Sequence, residues 1–568
     1  MTVAGWAQIV VFVAVLGATT PLIGAYMHRV YTTEGRVERF ARRLFGAGAR
    51  REQNWLSYAR SALVLSAVSF GVLYAVLRTQ TLHPWNPTNL TSPTWDLSFN
   101  TAASFVTNTD WQFYGGETTM TYFSQMAGLT VQNFVSAAVG IAVAIAVIRG
   151  FASRSAGSLG NFYVDLTRTL ACILLPASVI GALFLISQGL AQTLSGPEAI
   201  GTLAGGHQTI ARGPVASQEW IKELGTNGGG FFNVNAAHPY ENSSTLTNFV
   251  LMWSILAIPA GLTSTFGRMV GSKRQGWAVF AAMLTMFVVA TAVVYIGEAQ
   301  TTPAMQAAGL TGPNMQGKDV RFGIGSSALF ASATTVASCG AVNAAMESMS
   351  GFGGGVAMAN IMTGEVIFGG VGSGLYGMLL FVLLAVFLAG LMVGRTPEYL
   401  GKKIEAREIK LVAVGTLAVP LLVLAATALA LSLKWGSPSV FSSGPQGFSE
   451  SVYAYASQAN NNGSAFAGYT GYVQPDGENA TAFGISFANV LGGLSMILGR
   501  FLPMILALAV GGRLAGKRLT PAGPGTMRTD TATFVVLIVA TIGLVALLTF
   551  VPALFLGPVV QGLTGQLF

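Results

Sequence analysis

Four short segments of the chain contain residue types that suit the binding of a monovalent cation. They are Thr107-Asn108-Thr109, Thr226-Asn227-Gly228, Ser338-Cys339-Gly340 and Asn461-Asn462-Gly463. Small side chains and glycine let the backbone approach an ion closely, so that carbonyl oxygens replace its hydration shell. For Cys339 we expect the carbonyl oxygen, and not the thiol, to be the useful atom. Each segment alone could be an ordinary turn, but four of them predict one shared ion-selective site.

The sequence before the third segment predicts how such a site is built. Residues 323–340 are apolar and small, yet too few to cross a bilayer, which takes about 20 apolar residues. We predict a short helix that enters the membrane and unwinds at Thr334–Gly340, since irregular backbone at that depth must be buried or line a cavity. Gln112, just after the first segment, is expected to support it; a surface glutamine is the alternative.

A charged residue in an apolar stretch points to the region beneath this site. Arg500 lies within Leu498-Gly499-Arg500-Phe501-Leu502, where an arginine costs roughly 2.5–3.5 kcal/mol on insertion scales and must face the interior. We predict a fixed, unneutralised positive charge that opposes straight passage of a cation. A structural pair with an acidic group or with carbonyls is the alternative. Glu365 is a second, similar candidate near the start of another apolar stretch.

The glycine-rich segment 351–374 predicts a broken helix, because glycine is a poor helix former. We expect Gly370, Gly372 and Gly374 to gate or redirect the ion beneath the site. The run from Gly372 to Gly377 also matches G-x-G-x-x-G. It follows no predicted strand of a βαβ unit, so it does not indicate a dinucleotide site.

The composition identifies a polytopic membrane protein. Of 568 residues, 52% are hydrophobic and only 9% are charged, whereas soluble domains average about 25% charged. The net charge of +8 does not indicate nucleic-acid binding, because the basic residues follow the membrane topology. Cys172 and Cys339 lie far apart in apolar sequence, so no disulfide is predicted. The four histidines have no metal-ligand spacing.

Ten apolar stretches predict ten transmembrane helices, and basic residues orient them. Segment 28–60 and every second loop after it hold most of the 30 lysines and arginines. These segments should therefore be cytoplasmic, and both termini should lie outside. The predicted spans are 6–27, 58–78, 120–149, 160–188, 247–268, 276–297, 365–394, 410–434, 485–512 and 531–556.

The outer segments 79–119, 189–246, 298–364 and 435–484 each lead to one of the four ion-binding segments. Each lies between an outgoing and an incoming span, which makes an internal repeat. We predict an all-α membrane protein in which four helix–re-entrant loop–helix units surround one pore; ordinary extracellular loops are the alternative. The predicted divisions are 1–57, the four repeats 58–149, 150–270, 271–409 and 410–520, and the last helix, 521–568.

Longer motifs around these segments resemble one known family. They are Thr226-Asn227-Gly228-Gly229-Gly230-Phe231-Phe232-Asn233, Ser338-Cys339-Gly340-Ala341-Val342-Asn343, Asn461-Asn462-Gly463-Ser464-Ala465-Phe466, Gly317-Lys318, Arg321-Phe322-Gly323 and the run from Gly364 to Gly377. Over essentially its whole length, the chain resembles the potassium-binding subunit of the bacterial Kdp potassium-transporting ATPase. Asp110 departs from the pattern, since an asparagine is expected there in some relatives.

The resemblance implies a function and partners. K⁺ would be selected here and passed sideways through an intersubunit tunnel to a P-type ATPase subunit (KdpB-like). An assembly subunit (KdpC-like) and a small single-span subunit (KdpF-like) would complete a complex in the lipid of a bacterial inner membrane.

Missing motifs limit the chemistry of the chain itself. It has no G-x-x-x-x-G-K-[ST], H-E-x-x-H or G-x-S-x-G sequence, and no Asp-Lys-Thr-Gly phosphorylation sequence. We therefore expect no catalytic site and no bound nucleotide. One alternative is a self-sufficient potassium channel or symporter of the Trk/Ktr/HKT type, but a glycine in every segment would be expected there, and Thr107-Asn108-Thr109 has none. An intramembrane enzyme would need catalytic groups at membrane depth, and the spans carry few acids.

Overall fold

A computed structural model describes residues 1–33, 35–154, 157–471, 486–521, 523 and 526–564. Residues 472–484 of the predicted outer segment 435–484 lie outside this description. In chain order the helices are α1 (Val3–Thr32), α2 (Arg36–Leu44), α3 (Trp55–Arg78), α4 (Trp95–Val106), α5 (Gly116–Thr119), α6 (Ser124–Ala152), α7 (Phe162–Ser187), α8 (Val215–Leu224), α9 (Thr245–Met269), α10 (Lys273–Glu298), α11 (Pro303–Ala307), α12 (Gly323–Val336), α13 (Gly351–Met362), α14 (Ser373–Met392), α15 (Ala406–Ser432), α16 (Gly444–Ala459), α17 (Phe487–Ala515) and α18 (Ala532–Leu563).

Strands are few and lie in loops between helices. β1 (Glu198–Gly201) and β2 (His207–Ile210) form an antiparallel hairpin in which Glu198 pairs with Ile210. β3 (Glu398–Tyr399) and β4 (Lys402–Lys403) form a shorter one between α14 and α15. The short 3₁₀ helices are Gly46–Ala49, Gln80–Leu82, Asn235–Ala237, Met346–Ser348 and Ser437–Ser439. The fold of the described residues is therefore a helical one.

Within the described residues, 10 helices are long and apolar enough to cross a membrane, as predicted: α1, α3, α6, α7, α9, α10, α14, α15, α17 and α18. The predicted span 365–394 is wrong at its beginning, because α14 starts only at Ser373. Glu365, Phe368 and Gly372 have φ values of 59°, 48° and 95°, which no helix accommodates. The predicted break is therefore present: α13 ends, a non-helical loop follows, and α14 continues.

Burial separates inner from outer helices. In the apolar 18-residue stretches of α6 and α9, 83% and 78% of the residues are buried, whereas in those of α1 and α3 only 28% are buried. The middle of α6 contains many alanines and Gly140, and small residues allow close approach of neighbouring backbones. A Cβ on Gly140 would overlap the carbonyl oxygen of Val371 in the loop between α13 and α14. The inner helix α6 therefore packs directly on this loop.

The four short helices α4, α8, α12 and α16 are the predicted re-entrant helices. They contain 12, 10, 14 and 16 residues, too few to span a bilayer. Each packs against the helices before and after it in its own unit, and α12 does so against α10 and the half-helix α13. The helix α4 of the first unit also packs against α17 of the fourth. The four units therefore close on one another.

Of the motif residues Lys318 and Arg321, Lys318 pairs within its own unit and Arg321 connects two units. Lys318 Nζ lies 2.8 Å from Glu298 Oε2 in a buried ion pair. Arg321 donates to the carbonyl oxygens of Asn242 and Ala237 at 2.8 and 3.0 Å, and its hydrogen bonds lower the pKa of the Asp319 carboxyl. The Arg321 hydrogen bonds join the loop that leads into α12 to the loop that leads into α9, whereas Lys318 ties the same loop to the end of α10.

Candidate ion-selectivity site

After each short helix the chain reverses in the same way. One residue adopts a left-handed conformation, and the next residue's N–H returns to the helix. The left-handed residues are Asn108, Thr226, Ser338 and Asn461, with φ of 68°, 49°, 47° and 53°. The returning bonds are Thr109 N to Ser104 O (2.9 Å), Asn227 N to Lys222 O (2.7 Å), Cys339 N to Thr334 O (3.1 Å) and Asn462 N to Ser457 O (2.8 Å). The four segments are therefore structurally equivalent.

This equivalence corrects the alignment of the first segment by one residue. The sequence pattern placed Thr107 opposite Thr226, but the backbone places Asn108 there. Thr107 instead caps the C-terminal end of α4, where its hydroxyl donates to the Ala103 carbonyl at 2.8 Å. The spacing of the segments along the chain gave the wrong alignment because it cannot show which residue adopts the left-handed conformation. It follows that Asp110 occupies the place that glycine has in the other three segments.

The four segments form a closed ring of contacts. Going around the ring, the hydrogen bonds are Asn108 Nδ2 to Thr226 O (2.9 Å), Gly340 N to Asn227 O (3.4 Å), Asn462 Nδ2 to Thr334 O (3.0 Å) and Asn461 Nδ2 to Thr109 Oγ1 (2.9 Å). Asn227 Nδ2 also donates to Asn108 Oδ1 at 2.8 Å. All twelve predicted residues except Thr107 thus lie in the turns that meet here, and Thr107 lies just behind them.

The glycines of the ring are needed for this close approach. A Cβ on Gly228 would overlap the backbone nitrogen of Gly340, and one on Gly463 would overlap the carbonyl oxygen of Thr109. A Cβ on Gly340 would lie 2.9 Å from Gly463 Cα. Glycine is required because each segment touches the backbone of its neighbour.

A cavity of about 490 Å³ lies on one side of the ring, where Asp110, Gly340 and Gly463 form part of its wall. Gln112 also lines it and connects the first two segments, since its Nε2 donates to Gly230 O at 3.2 Å and its Oε1 accepts from Gly230 N at 2.9 Å. Gln112 therefore contacts the chain that continues from the second segment, and its supporting role at the ion site stays a prediction.

Asp110 is a buried carboxylate in this wall. Its side chain is 1% exposed, and its φ of 50° is one that aspartate tolerates better than most residues. With the Asn133 amide oriented to donate, that nitrogen lies 3.2 Å from Asp110 Oδ2. Asp110 Oδ1 has no hydrogen-bond partner among the described residues. One carboxylate oxygen at the ring is therefore left without a donor.

A smaller cavity, about 60 Å³, lies on the other side of the ring. Asn461, Glu365, Arg500 and Thr549 are among the residues that line it. The loop between α13 and α14 passes directly beneath the ring, since Val371 N donates to Thr226 Oγ1 at 2.7 Å. This loop could therefore act on an ion leaving the ring.

Of the three predicted gating glycines, Gly370 and Gly372 belong to this loop and Gly374 lies in the first turn of α14. A Cβ on Gly372 would overlap the Gly140 carbonyl of α6. A Cβ on Gly370 would lie 2.6 Å from Ser373 Oγ, and one on Gly374 would lie 2.5 Å from Gly369 N. Their immediate role is tight packing of the loop, and a gating role stays a prediction.

Arg500 is buried beside the small cavity, as predicted, with 4% of its surface exposed. The prediction that its charge is unneutralised is wrong in part, because Nη1 lies 3.7 Å from Glu365 Oε2. Arg500 Nη2 has no hydrogen-bond partner in the described part of the chain, and Glu365 accepts a second contact from the Ser373 hydroxyl. The long separation leaves this arginine only partly compensated.

Comparison with known proteins agrees with this geometry. The family model described as potassium-transporting ATPase A subunit matches residues 10–563. The chain belongs to this A subunit family. Two relatives named potassium-transporting ATPase potassium-binding subunit are each 53% identical to this chain. The match to the protein of Methylobacterium nodulans covers 100% of this chain and 98% of the relative. The match to the protein of Granulibacter bethesdensis covers 99% of both chains. That of Mesorhizobium japonicum is 51% identical over 100% of both chains.

One solved structure is similar in fold. The potassium transporter TrkH from Vibrio parahaemolyticus has a TM-score of 0.53 at 14% sequence identity, covering 89% of this chain and 98% of that one. At this identity the likeness shows the fold alone. This chain therefore shares its fold with that potassium transporter.

A charged cluster behind the ring was not predicted from the sequence. Lys222 Nζ lies 2.7 Å from Glu219 Oε2 and 2.5 Å from Glu241 Oε2, and it donates to the Gly229 carbonyl at 2.8 Å. Glu241 Oε1 accepts from Phe232 N at 2.8 Å. Only the i, i+3 spacing of Glu219 and Lys222 was visible in the sequence. This cluster holds the backbone that continues from the second segment.

The expected role of the Cys339 carbonyl at the ion site stays a prediction. Its carbonyl oxygen accepts a hydrogen bond from the Thr334 hydroxyl of its own short helix. Its sulfur lies 3.5 Å from Glu223 Oε2. The sulfur therefore faces the charged cluster behind the ring, and the carbonyl already has a donor within the protein.

Proposed function

We propose that this chain binds and selects K⁺ at the ring of four segments and delivers it to the ATPase subunit of an ATP-driven potassium uptake complex. The closed ring of equivalent turns is the observation that carries the proposal. Its ligands would be neutral carbonyl, amide and hydroxyl oxygens, which suit a weakly hydrated monovalent cation. Ca²⁺ sites use several carboxylates, and the ring has only Asp110.

The small cavity supports a sideways route from the ring to a partner subunit. It is lined by Asn461 of the ring and by Thr416 of α15 and Thr549 of α18. In the apolar stretches of α15 and α18, only 39% and 28% of the residues are buried, so both helices lie at the edge of the molecule. An ion that enters this cavity would move toward that edge, with Arg500 and the loop around Glu365 beside it.

The names of the relatives support one of the proposed partners, an ATPase subunit. A potassium-binding subunit of a potassium-transporting ATPase needs an ATPase subunit, and none of the catalytic motifs for hydrolysis lies in this chain. The proposed complex also includes an assembly subunit and a small single-span subunit, in a bacterial inner membrane with both termini of this chain on the periplasmic side. No nucleotide would bind to this chain.

Substitution of the ring glycines tests the proposal in the purified complex. Gly228→Ser and Gly340→Ser should each raise the K⁺ concentration for half-maximal ATPase stimulation by at least about tenfold, the effect of ~1.4 kcal/mol, and reduce discrimination against Na⁺. Gly71→Ser is the control, because a Cβ on this α3 glycine meets nothing within 4 Å. If both ring variants keep the wild-type affinity, the ring is not the selectivity site.

The alternative function, a self-sufficient potassium channel or symporter, shares the fold. It would carry K⁺ in liposomes that contain this chain alone, whereas the proposed subunit would carry K⁺ against a gradient only with its ATPase partner and ATP. Concentrative uptake by the chain alone would favour the alternative.

A further inference from the structure

A cleft of about 220 Å³ lies between α1, α9 and α10, separate from both cavities at the ring. Its polar and aromatic lining comes from Thr20, Thr263, Ser264, Arg268, Lys273 and Trp277. Arg268 belongs to the last turn of α9, and Lys273 begins α10. The cleft thus lies near one end of three membrane-spanning helices.

The two cations of this cleft have no acidic partner in the described part of the chain. No carboxylate oxygen lies within 4.0 Å of a charged nitrogen of Arg268 or Lys273 there, and none of the residues lining the cleft is acidic. Asp530, on a nearby segment, is paired with Arg274 at 3.9 Å and Arg528 at 3.3 Å. The cleft therefore carries an uncompensated positive charge.

Arg268 is the more buried of the two. Its Nη2 donates to the Pro21 carbonyl at 3.3 Å, and its Nε is buried without a hydrogen-bond partner. An arginine at membrane depth is costly and is retained where it meets an anion, a carbonyl or water. One carbonyl accepts from only one of the five N–H groups of the guanidinium. The guanidinium therefore has donors available for an anionic ligand.

The surroundings of the cleft favour a lipid. Three spanning helices form its walls, and Trp277 at its edge is 46% exposed. Tryptophan is enriched at the boundary between head groups and hydrocarbon, and basic pockets between membrane helices bind lipid head groups. The basic loop between α9 and α10 is one of those predicted to be cytoplasmic, the side on which such pockets occur.

We propose that this cleft binds the phosphate group of an anionic phospholipid such as phosphatidylglycerol. Arg268 and Lys273 would hold the phosphate oxygens through charge-assisted hydrogen bonds, with hydroxyls of Ser264 and Thr263 beside the head group. The acyl chains would lie along the lipid-facing surfaces of α1 and α10. This site is independent of the ring, so it does not depend on how K⁺ is handled.

Lipid retention measured by native mass spectrometry tests this site in the complex as purified. Delipidated complex is supplied with phosphatidylglycerol or with zwitterionic phosphatidylcholine. We expect wild-type protein to retain phosphatidylglycerol selectively and Arg268→Gln/Lys273→Gln to lose at least about fivefold of it. The single variant Lys273→Gln should lose part of the bound phosphatidylglycerol. Because Lys273 is exposed at the start of α10, this variant should fold normally even if the double variant does not. Arg274→Gln is the matched control, since Arg274 does not line the cleft.

Three results would overturn the proposal. The first is equal retention by the wild type and the double variant. The second is an equal loss in Arg274→Gln, because surface charge alone would then explain retention. The third is complete displacement of the lipid by millimolar inorganic phosphate, which would assign the cleft to a free anion.

Discussion

Two buried cations near the ring, Lys222 and Arg500, have very different surroundings. Lys222 has two carboxylate oxygens within 2.7 Å, a third carboxylate at 4.0 Å and a carbonyl oxygen at 2.8 Å. Arg500 has one carboxylate oxygen at 3.7 Å and an Nη2 without a partner among the described residues. Lys222 lies behind the ring, away from both cavities, whereas Arg500 lines the cavity beneath it.

The difference indicates two uses of a buried positive charge. A closely paired lysine stabilises the backbone after the second segment, through Gly229 and through Glu241 to Phe232. A loosely paired arginine keeps part of its electrostatic potential for the cavity it faces, because compensation by a charge of opposite sign falls with distance. We therefore expect pairing geometry to separate a structural cation, Lys222, from one that would act on a passing ion, Arg500.

The largest expected effect comes from removing the closely paired cation. Lys222→Met would leave Glu219, Glu223 and Glu241 buried together without a counter-charge. Breaking a buried pair in this way typically costs about 3–5 kcal/mol. We expect a much lower yield of monodisperse protein and a lower thermal unfolding midpoint.

Two further variants separate this effect from the loss of any lysine. Lys434→Met, at an exposed position beside Trp435, should behave as wild type. Lys222→Met/Glu241→Gln should recover part of the stability, since one uncompensated charge is removed. Wild-type stability in Lys222→Met would contradict the structural role.

A smaller effect, on coupling and not on stability, is expected beneath the ring. An isolated unit charge about 6 Å from a passing cation repels it by ~3 kcal/mol at an effective dielectric constant of about 20. Glu365 reduces this, so we expect Arg500→Met to raise passive K⁺ leak through the reconstituted complex by roughly tenfold, an effect of ~1.4 kcal/mol. K⁺ transported per ATP should fall.

Neutralisation of Glu365 distinguishes a barrier from a structural pair. Glu365→Gln keeps the arginine and should not leak, whereas Arg500→Met/Glu365→Gln should leak less than Arg500→Met. Arg513→Met, on the same helix near its end and partly exposed, is the control. Leak-free Arg500→Met protein with wild-type coupling would make Arg500 a structural residue only.

The smallest effect concerns Asp110, the acidic residue at the ring, which forms no ion pair with another described residue. Burial raises the pKa of its carboxyl group, and the charge of Lys222 opposes this in part. Asp110→Asn keeps the size and the contact with Asn133 but removes the ionisable group. We expect the K⁺ affinity of the complex to fall by about threefold to tenfold, or ~0.7–1.4 kcal/mol, with normal stability. Glu198→Gln, on the exposed hairpin β1–β2, should leave affinity unchanged. An unchanged affinity in Asp110→Asn would mean that its charge does not reach the ion.

The sequence alone determined the elements whose causes are local. Length and apolarity were enough for the ten spans and for the short helices that precede Thr226 and Ser338. Small polar residues and glycine were enough to locate the four turns, and the cost of a charge in an apolar stretch was enough to place Arg500 in the interior.

Only the tertiary structure decided the features that depend on contacts between distant segments. The alignment of Asn108 with Thr226, and so the place of Asp110, depends on backbone angles and returning hydrogen bonds. The pairing of Arg500 with Glu365 and of Lys222 with Glu241 depends on how the units pack. The start of α14 at Ser373 depends on the loop that packs against Gly140 and Thr226. Propensity and hydropathy act over a few neighbouring residues, whereas these features arise where separate units meet around the ring.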